Sequence, residues 1–313
     1  MKNSPHGILL VDKAEGESSF DVVRKVRSLL GGGRRLRVGH AGTLDPFATG
    51  LLVVMIGKGT KLSPFLMAGR KRYRAVLVLG EETDTLDPTG RVTRTAPVPA
   101  MDGKRLREVA GRFVGEIEQV PPAYSAVKSA GKRAYALARK GLAVRLRPRK
   151  VWIYSLEVLD VDQPQVAIEV ECSSGTYVRS LAADMAHELG TCGHLGALRR
   201  LSSGSFRIEE ALPSRGIGKD ICSKELAERV IPLRDALPDM QEIRVSHSMA
   251  ESIGRGRSPG LSELPGGPPP PGWQGRHVKL VRGDRLIAIG LVETGPGRGR
   301  GRVKLVRVLG NEN

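Results

Sequence analysis

The chain opens on a block that is apolar nearly throughout, Gly7 to Lys13, reading GILLVDK. Its length and lack of alternation predict a short buried strand ending in a polar turn. Ser18 and Ser19 offer a helix cap, with Asp21 in the first turn. Phe20, Val23, Val26 and Leu30 then recur at helical spacing, with Arg24, Lys25 and Arg27 on the other faces. Gly31-Gly32-Gly33 ends that helix, and Arg34, Arg35 and Arg37 follow it. The run Leu51 to Ile56, rich in β-branched residues, predicts a second buried strand, and AVLVLG, after Tyr73 and Arg74, a third. Residues 103–118 read as an amphipathic helix with Leu106, Val109, Ala110 and Phe113 on its apolar face. Residues 151–161 and 165–172 alternate as paired strands joined near Asp162-Gln163-Pro164. A helix with Leu181, Met185 and Leu189 on one face comes next. The character changes near residues 232–245, which predicts a linker. Gly256 to Gly275 holds four consecutive prolines and predicts an exposed loop, partly polyproline II. HVKLVRG, RLIAIGLVE and RVKLVRVL close the chain as short strands with glycine turns, the pattern of a small barrel.

Composition narrows the partner. The 313 residues carry 50 Lys and Arg against 33 Asp and Glu, a net charge of +17. That balance points to a polyanion, either nucleic acid or an anionic membrane. No apolar run approaches the roughly 18 residues of a spanning helix, and the N-terminus is not a signal peptide, because its apolar stretch meets Asp12 at once. The expected location is therefore the cytoplasm. Cys172, Cys192 and Cys222 are far apart and form no CxxC pair, so they read as buried small side chains. Cys192 and His194 lie close in sequence, but nothing nearby completes a metal set.

The candidate chemistry centres on Val38 to Leu52, VGHAGTLDPFATGLL. Small residues on both sides of one carboxylate allow a backbone packed closely around a ligand. Pro46 fixes its own φ and drives Asp45 towards an extended conformation. Asp45 is thus expected on a rigid turn at the mouth of a sheet. Gly57-Lys58-Gly59-Thr60-Lys61 superficially suggests a phosphate loop, but GxxxxGK[ST] is absent, and a strand-to-helix turn is the better reading. Lys71, Arg72 and Arg74 surround Tyr73, a combination suited to stacking on a base and meeting phosphates. TLDPTG around Asp87 is, on its own, only a turn. Residues 120–150 interleave Tyr124 and Tyr135 with Lys128, Lys132, Arg133, Arg139 and Lys140, where a plain charge run would signal only a solvated face. Ser173 to Ser180 passes from strand through a small-residue turn into a helix, and so presents side chains at a sheet edge.

The central stretch resembles the GHxGTLDPxATGLL motif of the TruB family of tRNA pseudouridine synthases. So do the segments around Lys61 (GxxTK), Tyr73 (KRY), Asp87 (LGxxTDTxDxxG), Tyr124 (PPxYSAxKxxGxxxYxxAR), Arg179 (SxGTY[IV]R) and Leu198 (LRRxxxGxF). The resemblance is continuous over the first 210 or so residues and loose over the last 70. It implies an α+β pseudouridine-synthase fold with a central mixed, mostly antiparallel sheet, and a C-terminal PUA-like β-barrel. The implied domains are 1–238, with an RNA-clasping insertion at about 120–150, and 239–313. By the same resemblance Asp45 is the nucleophile, Arg179 its partner and Tyr73 an active-site tyrosine. His40, Tyr177, Leu198, Asp87 and Lys61 are implied to hold substrate or to support the site. The implied substrate is a uridine in the T-arm of tRNA, conventionally position 55, flipped out and isomerised without cofactor or metal. The insertion points to a stand-alone tRNA enzyme without an obligatory protein partner, and a monomer is the expected state. Two alternatives stay open: a synthase for another structured RNA, and a non-catalytic RNA-binding or RNA-folding protein. Intact Asp45, Tyr73 and Arg179 weigh against the last, since pure binding does not need them.

Overall fold

A computed structural model gives the fold and describes residues 5–31, 36–125, 127–129, 132–138, 142, 146–295 and 301–310. The first apolar block forms strand β1 (Gly7–Lys13), and Ser18 caps helix α1 (Ser19–Leu29) in a capping box with Asp21. Such a cap contributes about 1 kcal/mol. Strands β2 (Val38–His40) and β3 (Thr49–Ile56) flank the Asp45 turn. A 3₁₀ turn, Gly57–Leu62, then leads into helix α2 (Ser63–Ala68). Strand β4 (Lys71–Leu79), helix α3 (Gly103–Arg112) and strand β5 (Gly115–Gln119) follow. The hairpin of β6 (Arg149–Asp162) and β7 (Gln165–Cys172) runs into helix α4 (Val178–Glu188) and the long strand β8 (Gly193–Ser203).

These strands build one mixed sheet in the order β1-β3-β8-β4-β7-β6-β5, with the short strand Leu212–Pro213 added beside β1. The β3–β8 and β1–Leu212–Pro213 pairs are parallel, and the other neighbours in that order are antiparallel. β3 is apolar throughout because both its faces are covered. Leu52, Val54 and Ile56 pack with Val22, Val23 and Val26 of α1, while Leu51, Val53 and Met55 join a second cluster. Leu106 and Val109 of α3 and Leu181 and Met185 of α4 cover Tyr73, Ile168 and Val170 of the sheet.

The C-terminal part is a four-stranded sheet, β9 (Glu242–Arg244), β10 (His277–Arg282), β11 (Arg285–Thr294) and β12 (Gly301–Val308), in that order, with helix α5 (His247–Gly254) beside it. β9 and β12 do not pair with each other among the described residues, so the expected barrel is not closed. Val281, Leu286, Ile289 and Leu309 share a hydrophobic cluster with Ile8, Leu51 and Leu237. The two parts therefore bury apolar surface against each other.

Several sequence expectations need correction. Phe20 is 59% exposed, because α1 turns Val22, Val23 and Val26 inward instead. The helix expected over 103–118 stops at Arg112. Gly115 adopts φ +112°, and residues 115–119 pair with β6 as an edge strand. In the proline-rich loop Pro259, Leu261 and Leu264 are buried, although Pro265, Pro268 and Pro270 are exposed. Cys172 and Cys192 are buried as expected, but Cys222 is exposed. Among the described residues no group of His, Cys, Asp or Glu is placed to hold a metal ion, and no helix is long and apolar enough to cross a membrane.

Candidate active site

The Asp45 turn is fastened by residues that arrive from distant parts of the chain. Ser19, at the start of α1, donates its hydroxyl to Leu44 O and accepts Leu44 N–H, both at 2.9 Å. Lys13, at the end of β1, sends its buried ammonium to Ala14 O, Glu17 O and Pro46 O, the last at 3.3 Å. Gly16 N–H also reaches Pro46 O, at 2.8 Å. Arg200 of β8 donates from Nη2 to Gly42 O at 3.1 Å, and Ala41 N–H bonds Val53 O. Gly50 adopts φ +102°, and a Cβ on it would lie 2.4 Å from Arg200 O, so only glycine lets β3 approach β8 here. The local sequence supplies the turn; long-range hydrogen bonds make it rigid.

Arg179 faces that turn from the first turn of α4. Its Nε pairs with Asp45 Oδ2 at 3.1 Å and its Nη1 with Asp87 Oδ2 at 3.2 Å. Nη1 also donates to Thr85 O at 2.9 Å and Nη2 to Tyr124 O at 3.0 Å. The guanidinium side chain is 6% exposed, like that of Asp87, whereas Asp45 is 35% exposed. Asp87 is itself satisfied. Its Oδ1 accepts from Thr85 Oγ1 at 2.7 Å, Thr89 N at 3.0 Å and Thr89 Oγ1 at 2.6 Å. A planar fork held by a carboxylate and two carbonyls has little freedom left, so it presents one face to Asp45 in a fixed orientation. Burial pushes the Asp45 carboxyl above the ordinary carboxylate value; the Arg179 cation opposes that push and the Asp87 anion adds to it.

An open cavity of about 910 Å³ lies over this arrangement. Asp45, Tyr73, Asp87, Tyr177, Arg179 and Leu198, all expected at the site, line it. Tyr124 and Tyr135 of the insertion border it too. The register explains the grouping. Tyr73 sits directly opposite Arg200 and Ala75 opposite Leu198, so alternate residues of β4 and β8 share one face. Burial raises the Tyr73 phenol above its ordinary range. On the same face Lys71 is buried with its ammonium on Met67 O at 2.6 Å and Gly69 O at 2.5 Å. Burial, with the nearby Arg200 cation acting in the same sense, lowers its pKa to about 8.

A family model described as TruB family pseudouridylate synthase (N terminal domain) matches residues 27–178. The tRNA pseudouridine synthase B of Geobacter sulfurreducens is 38% identical over 283 residues, covering 90% of this chain and 92% of that protein. The chain belongs to the TruB family of pseudouridylate synthases. The protein of the same name from Syntrophus aciditrophicus is 42% identical over 258 residues, covering 82% of this chain and 81% of its own. Solved structures show the same fold at lower identity. The Cbf5-Nop10-Gar1 complex contains a chain with TM-score 0.73 and 23% identity, covering 97% of this chain and 85% of that one. The archaeal box H/ACA sRNP Nop10-Cbf5 complex gives TM-score 0.73 at 22% identity, covering 98% of this chain and 86% of that one.

Against the TruB pattern, three sets of residues fall differently from the expectation, and a fourth is not described. The Lys71–Arg74 cluster is split by the strand alternation: Lys71 and Tyr73 face inward, while Arg72 and Arg74 face solvent and pair with Glu169. His40 stands on β2, half-buried and outside the cavity wall, and burial depresses its imidazole pKa. Lys61 lies outside the cavity too, because the 3₁₀ turn carries its ammonium towards β12, where it bonds Val308 O at 2.9 Å. Lys128, Lys132 and Arg133 lie on two-residue strands of which only the backbone is described, and Arg139 and Lys140 lie outside the described residues. Sequence reasoning does not reach Ser19, Lys13 and Arg200 as site residues, and it reaches Lys71 only as one cation of the cluster around Tyr73. The one usable signal for Arg200 is its place in the LRR segment beside Leu198.

Proposed function

We propose that this TruB-family enzyme isomerises a uridine in the T-loop of tRNA, at position 55, to pseudouridine, with Asp45 as the nucleophile. The observation that carries the reading is the buried Arg179 fork. It grips Asp45 on one side and the fully hydrogen-bonded Asp87 on the other, at the wall of a cavity open to solvent. Relatives named tRNA pseudouridine synthase B support tRNA as the substrate.

A uridine folded into an RNA loop must leave its stack before chemistry begins, at a cost of about a few kcal/mol. Tyr73, Tyr177 and Leu198 form the wall against which the extruded base packs. Asp45 has to be ionised to attack C1′ of the sugar. Arg179 favours that ionised form and aims one carboxylate oxygen, and Asp87 keeps Arg179 from swinging away. Asp87 is thus a positioning residue, since its contact with Asp45 runs through the guanidinium and only its field reaches the carboxyl directly. The product is an isomer of the substrate at the same oxidation level, so the reaction needs no redox cofactor or ATP. Residues 120–150 would clasp the RNA with their cations, and residues 239–313 would act as a PUA-like RNA-binding domain beside the catalytic domain, 1–238. His40 and Lys61 would support substrate at longer range, from outside the cavity wall. The enzyme would work as a stand-alone monomer in the cytoplasm.

Mapping pseudouridine at single-nucleotide resolution tests the assignment. In RNA from cells lacking the gene, the T-loop modification of tRNA should vanish and return with the wild-type gene. Unchanged tRNA, with loss at ribosomal or other structured RNA, would overturn the substrate while leaving the chemistry standing.

A further inference from the structure

The face shared by β4 and β8 carries charge that the Asp45–Arg179–Asp87 arrangement does not use. Arg200 stands opposite Tyr73, is 1% exposed and lines the same cavity. Its Nε donates to Leu51 O at 2.6 Å and its Nη2 to Gly42 O at 3.1 Å. Its cation lies near enough to Tyr73 to oppose the effect of burial on the phenol. Lys71, two residues before Tyr73 on the same face, also lines the cavity and donates its ammonium to backbone carbonyls. Among the described residues no carboxylate pairs with either cation; the site's ion pairs run from Arg179. Two buried cations side by side repel each other, and an apolar pair would be cheaper to bury. The Nη1 end of Arg200 lies beside Gly42, where a Cβ would stand 3.5 Å from it. The cavity wall thus holds positive charge without a protein anion.

The proposed reaction makes a transient anion in this cavity, and a role for Arg200 in it rests on that reading of the function. When the C1′–N1 bond breaks, its electron pair stays on N1, and the base becomes an anion with charge spread to O2 and O4. The Asp45 oxygen takes over C1′. After the base turns, C5 returns an electron pair to C1′, the carboxylate leaves, C5 loses its proton and N1 gains one. Throughout, the detached base must not escape, and the carboxylates of the site cannot hold it. We infer that Arg200, with Lys71 beside it, is the cationic group that carries the charge of the detached base.

The test is a leaving-group comparison on the full-length protein. Single-turnover rates are measured for the wild type, Arg200→Met, Arg200→Lys and Lys71→Met on tRNA carrying uridine or 5-fluorouridine at the target. Binding titrations are run on the same preparations, and thermal melts show which variants fold. Fluorine makes the base a weaker base and a better leaving group. It also blocks the final proton loss, so the readout for both substrates is loss of the parent nucleoside. Arg200→Met should slow uridine conversion about 100-fold with tRNA affinity within about threefold. Its defect on 5-fluorouridine should shrink to about tenfold or less. Arg200→Lys and Lys71→Met should show smaller losses with the same substrate dependence, and they decide the matter if Arg200→Met does not fold. Equal losses on the two substrates in the folded variants would make these residues structural and overturn the inference. A wild type that converts neither tRNA would instead overturn the proposed function itself.

Discussion

The two faces of β4 carry the same kinds of residue and put them to opposite uses. Lys71 and Tyr73 point into the cavity and are buried, Lys71 with its ammonium on backbone carbonyls and Tyr73 opposite Arg200. Arg72 and Arg74 point the other way, stay largely exposed, and share Glu169 across the strand pair. Next to them Arg70 pairs with Glu171 and lies 3.7 Å over the Tyr154 ring. β8 repeats the division: half-buried Arg199 pairs with Asp12 at 2.7 Å, while Arg200 is buried among backbone carbonyls. A cation neutralised in water is cheap and contributes little, about 0–1 kcal/mol for an exposed pair. A cation held dry without a carboxylate is costly, and its field stays available to whatever enters the cavity. The difference between a solvated face and a reactive one is here a matter of strand parity, not of composition.

The largest effect expected from breaking the buried face lies at Arg179. Arg179→Lys keeps the charge but loses the fork that grips Asp45 and Asp87 together, and turnover should fall by about 10²–10³. Stopped single-turnover assays with parallel tRNA titrations would show it as a loss in rate with affinity kept. Ser19→Ala removes both hydrogen bonds that fix Leu44. Stability should drop by about 1–3 kcal/mol, read by urea melts, and turnover about tenfold as the Asp45 turn loosens. The acid side of the rate profile sharpens the electrostatic picture. Because burial raises the Asp45 carboxyl above its ordinary 3.8, activity should fade on acidification at a pH above that value. Asp87→Asn removes an anion that also raises it, so the midpoint of the fade should move to lower pH. A midpoint that moved upward would contradict the assigned fields. On the open face, Arg72→Gln with Arg74→Gln should leave turnover unchanged and shift stability by about 0.5 kcal/mol at most. If that double variant flattened the salt dependence of tRNA binding, the outer face would be part of the RNA path.

Much of the site is legible in the sequence where chemistry is local. Asp45 between glycines, a proline and a buried strand reads as a presented carboxylate, and the strand–turn–helix at Ser173–Ser180 presents Arg179. Legibility fails where function depends on register. Nothing in the pair Arg199-Arg200 says which one is buried; only the pairing of β8 with β4 decides it. Ser19 and Lys13 read as a helix start and a strand end, and their bonds to Leu44 and Pro46 span 25 and 33 residues. Lys61 misleads for the converse reason: its neighbours in sequence belong to the site, but the 3₁₀ turn sends its side chain to the C-terminal sheet. The helix over 103–118 is overdrawn because Ile117 continues its apolar period after Gly115 has already broken it.

The central claim is that the carboxylate gripped by Arg179 makes the bond to the sugar. Asp45→Asn tests it most directly, since the amide keeps the size and hydrogen-bonding reach of the side chain but not its charge or its nucleophilic oxygen. Tritium release from tRNA labelled at C5 of uridine should be undetectable for this variant, while tRNA affinity stays within about several-fold of the wild type. Near-normal release from a folded Asp45→Asn protein would contradict the mechanism.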